Sequence, residues 1–117
     1  MNRNKQLSLI FDSDENQYKV GTLQTAPKQK DSTHVQRRQQ QRAISEAMIK
    51  IALLYGQKQY RYGAQLFTLN DRNLDNSPYS QYKDTLRGLR VVCLSGLPNP
   101  QILTVYWDKE IKNRVRK

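Results

Sequence analysis

The chain has 117 residues, 37 % of them hydrophobic, and its 20 Lys and Arg exceed its 10 Asp and Glu to leave a net charge of +10. That length suits one domain and excludes two independent cores, because a single core occupies about 50–200 residues. No apolar run approaches the roughly 20 residues of a membrane span; the mean hydropathy of -0.87 and the pI near 10.0 turn attention to phosphate backbones and acidic proteins.

Residues 1–30 hold one apolar island, residues 7–11, followed by Asp12, Asp14 and Glu15. So little apolar material does not offset the entropy of ordering, and a flexible tail is expected. Its island remains available to add an edge strand or to dock on a partner. The opening Met1-Asn2-Arg3-Asn4-Lys5 lacks the apolar core of a signal peptide, so a cytoplasmic location is expected. Order is expected from Asp31 and Ser32, whose side chains can accept from the free N–H groups of a helix start. The helix they open has only Val35 as an apolar residue up to Arg42. A second helix, capped by Ser45 and stopped by Gly56, puts Ile44, Met48, Ile51, Ala52 and Tyr55 on one stripe at helical spacing, and this one faces the core.

Past Gly56 the period shortens toward two. Three strand runs follow: residues 60–69, interrupted by Gly63, residues 89–94 and residues 102–107. The turn formers Gly96-Leu97-Pro98-Asn99-Pro100 predict an antiparallel hairpin between the last two. Asn76-Ser77-Pro78 breaks the connection between the first two, after which residues 79–86 are expected as a short helix or an ordered loop. Cys93 lies in the apolar run Val91-Val92-Cys93-Leu94 and reads as a buried thiol rather than a nucleophile; one cysteine forms no internal disulfide, in keeping with a reducing compartment. Residues 108–117 form a basic C-terminal extension or a short terminal helix. The expected fold class is α+β, with two N-terminal helices packed on a small, mostly antiparallel sheet within residues 31–107 and the other sheet face partly open.

In a helix, positions i, i+4 and i+8 stay on one side, so His34, Arg38 and Arg42 form a row flanked by Arg37 and Gln41. Guanidinium forks grip phosphate oxygens, and an imidazole moves a proton near neutral pH. Such a row suits a phosphodiester. The arginines would hold the phosphate, and His34 would act as acid or base toward a ribose 2′-OH or the leaving oxygen. The plainer alternative is a solvated polar face. Against it stands the missing apolar stripe, which leaves that helix little reason to fold unless its polar side meets something.

Tyr60, Tyr62, Tyr79, Tyr82, Tyr106 and Trp107 are interleaved with Lys58, Arg61, Lys83, Arg87, Arg90 and Lys109, a mixture that stacks bases and neutralises phosphates. Alternatively, half of these tyrosines pack on the sheet with hydroxyls at its rim. Alternation in the last strand puts Leu103, Val105 and Trp107 on one face, Thr104 and Tyr106 on the other; if the core takes the first set, Tyr106 faces outward and could line the same cleft as His34. A lone His far from a lone Cys gives no metal site, no Gly-x-Ser-x-Gly elbow marks a hydrolase, and no Gly-rich loop cradles a nucleotide. Neither metal nor cofactor is expected.

The stretch Ser32-Thr33-His34-Val35-Gln36-Arg37-Arg38, continuing to Arg42-Ala43-Ile44-Ser45, resembles the His-Ala-x-x-Arg-x-x-x-Arg-Gly-Ile opening of the small bacterial domain-of-unknown-function 4258 family. Similarity extends through Leu53-Leu54-Tyr55-Gly56, Leu66-Phe67-Thr68-Leu69-Asn70-Asp71-Arg72 and Ile102-Leu103-Thr104-Val105-Tyr106. Ala43 stands for the family glycine and Val35 for its alanine. The resemblance implies a RelE-like fold, that of small ribonuclease toxins, and motif residues His34, Arg38, Arg42 and Arg72.

Two functions are expected. One is a metal-independent, toxin-like endoribonuclease with His34, Arg38, Arg42 and Tyr106 as catalytic residues and Arg37, Arg61, Arg72, Lys109, Lys112 and Arg114 on the RNA. The other is a non-catalytic basic module for nucleic acid or an acidic, antitoxin-like protein partner, within which a subunit of a larger complex would dock through residues 7–11.

Overall fold

The computed structural model describes residues 3–25, 44–95 and 97–112. The polar helix expected after Asp31, with His34, Arg37, Arg38 and Arg42, lies outside the described residues, as does Arg114.

Helix α1 runs Arg3–Asp12. Leu7, Ile10 and Phe11 stand at i, i+3 and i+4, so they share one stripe. Leu7 and Phe11 are buried and belong to the same core as helix α2, Glu46–Tyr55. The tail expected for residues 1–30 is therefore not what residues 3–25 form. Composition averages over a segment, whereas a helix needs only a few apolar side chains at the right spacing and a surface to receive them. Burying Leu7 and Phe11 contributes about 1.5–3 kcal/mol each relative to exposure.

After a 3₁₀ turn at Gln17–Lys19 the chain runs along the loop that precedes the last strand. Gly21 N–H donates to Pro98 O (2.6 Å) and Thr22 N–H to Asn99 Oδ1 (3.0 Å). A Cβ at Gly21 would strike Asn99 Oδ1, so a larger residue here would displace the acceptor of Thr22 N–H. Strand β1, Gln24–Thr25, then pairs in parallel with Gln101 and Ile102.

Helix α2 follows its sequence signals. Ser45 Oγ accepts from Met48 N–H, Gly56 N–H closes on Ala52 O (2.8 Å), and Met48, Ile51 and Ala52 are buried. The run expected as one interrupted strand is instead a hairpin, β2 (Gln57–Arg61) and β3 (Ala64–Thr68), turning at Tyr62 and Gly63. Both turn residues have positive φ, 52° and 77°. Two-residue hairpin loops demand that, and the glycine supplies half of it without cost. Helix α3 (Asp71–Asp75) is capped by Asn70, whose Oδ1 accepts from Asn73 N–H at 2.9 Å. A 3₁₀ turn at Ser80–Tyr82 and helix α4 (Lys83–Leu86) follow, with Tyr79 and Leu86 fully buried.

Strands β4 (Leu89–Ser95) and β5 (Gln101–Trp107) make the expected antiparallel hairpin, and helix α5 (Lys109–Lys112) closes the described chain. The class is α+β: the five strands lie in the order β1-β5-β4-β3-β2, antiparallel apart from β1. The helices are not confined to the N-terminal side, because α3 and α4 interrupt the sheet between β3 and β4 and α5 comes after it. Tyr79 and Leu86 explain the interruption, since each is an apolar side chain that draws this connection into the core.

One sheet face, with Phe67, Val91, Cys93 and Val105, is buried with α1 and α2 in the core. Leu103 departs from the expected alternation. A register shift between Val92 and Cys93 makes Ile102, not Leu103, oppose Cys93 and pack on the core, and Leu103 is exposed.

Candidate nucleic-acid interface

The register puts Gln57, Thr68, Arg90 and Tyr106 opposite one another across four strands, on the face away from α2. Arg90 is the hub of this row. Its Nε donates to Thr68 Oγ1 (3.0 Å), its Nη1 to the Tyr106 hydroxyl (3.3 Å), and its Nη2 pairs with Asp108 Oδ2 at 2.9 Å. The guanidinium also lies 5.8 Å from the Tyr106 ring centroid. Tyr106, expected in a catalytic role, is thus half-buried and oriented by Arg90. Asp108 extends the network to the C-terminal extension, since its Oδ1 accepts from Glu110 N–H (3.0 Å) and Ile111 N–H (3.3 Å), capping α5. The start of that basic segment is therefore fixed to the sheet through Arg90.

The other sequence-predicted positions are spread out. Arg61 ends β2, Arg72 lies on α3 and Lys109 opens α5, all three exposed; Lys112 is the last residue of α5. Of the cations interleaved with aromatics, Lys83 pairs with Asp75 (2.7 Å) and Arg87 with Asp71 (2.6 Å) and Asp84 (2.9 Å). The Asp71 carboxylate raises the Arg87 guanidinium above its already high value. A cation held between two carboxylates offers little to a phosphate. Among the described residues neither Lys58 nor Arg61 has a carboxylate partner.

A second polar cluster had no signal in the sequence beyond three carboxylates near an apolar island. Asp14 is buried, and its carboxylate accepts from Tyr55 OH (2.8 and 2.9 Å), Tyr79 OH (2.8 Å) and Asn16 N–H (2.8 Å). Asn16 Nδ2 donates to the Tyr55 oxygen at 3.1 Å. Burial, and then the hydrogen bond donated to Asp14, hold the Tyr79 phenol far above its ordinary value, and burial raises Tyr55 too. Several donors compensate the buried carboxylate, so no countercharge is required. The cluster borders a groove of about 620 Å³ lined by Leu9, Ile10 and Pro78 among others. Its polar groups already satisfy one another, which marks it as a clamp between the N-terminal segment and the body.

Cys93 is buried as expected, and burial pushes its thiol up to about 11, the opposite of an activated nucleophile. Among the described residues no group of His, Cys, Asp and Glu is arranged to hold a metal, and no helix is long and apolar enough to cross a membrane.

Charge is distributed unevenly along the chain. Residues 26–43 and 113–117 together contain eight Lys and Arg and one Asp, while the rest of the chain contains twelve Lys and Arg against nine Asp and Glu. The larger part of the excess therefore belongs to two short segments, one between β1 and α2 in the sequence and the other after α5. Comparison with known proteins finds no matching family model, no similar curated protein and no similar solved structure.

Proposed function

We propose that the protein acts on RNA, gripping the phosphodiester backbone with its two strongly basic segments, in the cytoplasm and on a RelE-like frame. The observation that carries this reading is the charge segregation. Net charge spread evenly along a chain speaks only of solubility, whereas eight cations against one carboxylate within residues 26–43 and 113–117 make two stretches of sequence to which a polyanion would be drawn. Arg90 and Asp108 support the reading by anchoring the start of α5, the helix that precedes the C-terminal cations in the sequence. An acidic protein partner would be drawn to the same segments.

The spacing of His34, Arg38 and Arg42 favours a second step, cleavage. A metal-independent cut would proceed by attack of the ribose 2′-OH on the adjacent phosphorus with departure of the 5′-oxygen. His34 would take or give the proton, Arg38, Arg42 and Arg72 would hold the phosphate, and Tyr106 would position it. The test is incubation of purified protein with total RNA in the presence of a chelator. Binding that weakens steeply with salt is expected, together with 2′,3′-cyclic phosphate ends that are lost in His34→Ala while its salt dependence stays unchanged. Binding without such ends would leave a non-catalytic module, and absence of binding would overturn both.

A further inference from the structure

The aromatic residues interleaved with cations do not share one fate. Tyr79 is fully buried on Asp14, Tyr82 packs against the core, and Tyr106 is held by Arg90. What remains is the β2–β3 hairpin. Tyr60, 72 % exposed, lies on an edge strand whose five residues are all exposed, and Tyr62, fully exposed, follows two positions on in the turn. Lys58 Nζ stands 5.2 Å from the Tyr60 ring centroid, covering part of one ring face and leaving the remainder open. Arg61 separates the two rings in sequence, and no Asp or Glu occurs between Glu46 and Asp71. Alternation puts Lys58 beside Tyr60 on one face of β2 and Arg61 on the other, so a phosphate meets a cation on either face and no carboxylate within the hairpin.

Tyr62 adds an independent observation. It occupies a backbone conformation, φ 52°, that costs a residue with a Cβ about 1–2 kcal/mol and that asparagine or glycine accepts readily. The structure therefore carries a large aromatic ring at the position of the hairpin least suited to one, with none of its surface buried to offset that cost. Strain of this kind is retained where it serves a site.

We infer that this hairpin is a stacking platform for unpaired nucleotides, so that the RNA bound is single-stranded where it crosses β2. The inference rests on the RNA reading above and adds the substrate's form. Tyr60 and Tyr62 each stack one base through a free ring face, which any base can satisfy, and Lys58 and Arg61 neutralise the adjoining phosphates. Duplex RNA keeps its bases stacked inside and gains nothing from the rings.

Tyr18 provides an internal control. It is 76 % exposed, yet it follows Asp12, Asp14 and Glu15, carboxylates that repel a polyanion. The test is fluorescence anisotropy with a labelled single-stranded RNA 12-mer and the corresponding duplex, titrated with the full chain. Tyr60→Ala and Tyr62→Ala are each expected to weaken single-strand binding by about 5–100-fold and to leave duplex binding unchanged, with Tyr18→Ala unchanged for both. Tyr62→Asn separates the site from folding, because it should raise the unfolding temperature while weakening single-strand binding like Tyr62→Ala. If the wild type binds single strands and these variants bind within twofold of it, the platform is refuted and the RNA reading stands. If the wild type binds neither RNA, both fall. A labelled polyglutamate that binds as tightly as RNA and is equally insensitive to both tyrosines would assign the hairpin's cations to an acidic protein and refute the platform as well.

Discussion

Asp14 and Arg90 are both charged hubs with several partners, but they lie in opposite surroundings. Asp14 is buried where the N-terminal segment meets the body, and its carboxylate is shared by Tyr55, Tyr79 and a backbone N–H. Arg90 is half-buried at the end of the sheet and divides its donors among Thr68, Tyr106 and Asp108. Removal of the first hub strands donors that water reaches poorly, whereas removal of the second leaves groups that solvent can repair. A hydrogen-bonded network thus contributes according to what replaces it when it is lost. The sealed hub fastens the fold, and the half-open one ties the start of α5 to the sheet.

Leu7→Ala should break the N-terminal half of this contrast most severely. Leu7 is fully buried, and truncating such a side chain costs about 2–5 kcal/mol, readable as a lowered urea midpoint. A midpoint unchanged from wild type would mean that α1 is not docked. Next in size is Asp14→Ala, expected to cost about 2–3 kcal/mol because Tyr79 OH loses its acceptor inside the core. Arg90→Leu should cost less, about 1–2 kcal/mol, since Arg90 and Asp108 keep access to water; an equal or larger loss than for Asp14→Ala would invert the comparison.

The smallest effect is the change between pH 9 and 10, the beginning of a pH dependence confined to alkaline solution. The folded protein keeps the Cys93 thiol and the Tyr79 phenol protonated above their ordinary values of 9.0 and 10.0, so the unfolded chain loses these protons first. Their contribution is complete below pH 9 and declines as pH rises, first through Cys93 toward about 11 and, above 10, through Tyr79. Each proton withdrawn accounts for about 1.4 kcal/mol per pH unit. Cys93→Val should flatten the decline between pH 9 and 10 in denaturant titrations; a decline of the same steepness there would show that another group is responsible.

The residues explain which parts of this fold were legible beforehand. Helix α2 was announced by Ser45, Gly56 and a stripe at helical spacing, and the β4–β5 hairpin by its turn formers and period, all signals contained within a dozen residues or so. The docking of Leu7 and Phe11 was hidden, because a three-residue stripe acquires meaning only against the surface that α2 provides. Arg90 passed as one cation among many, and nothing local to it announces Tyr106 or Asp108 as partners. The His34 row was legible as a spacing and lies outside the described residues.

By itself the sequence determined the α+β class, the core helix, the last hairpin, the buried thiol and the concentration of positive charge, since each follows from nearest-neighbour chemistry or simple composition. Only the tertiary structure decided that Asp14 would be shared by Tyr55 and Tyr79, that a bulge would turn Leu103 outward, and that Tyr60 and Tyr62 would stay exposed while Tyr79 was buried. The physical reason is one of range: periodicity and capping act within a few turns of chain, while burial is conferred by residues that arrive from the other end of the sequence.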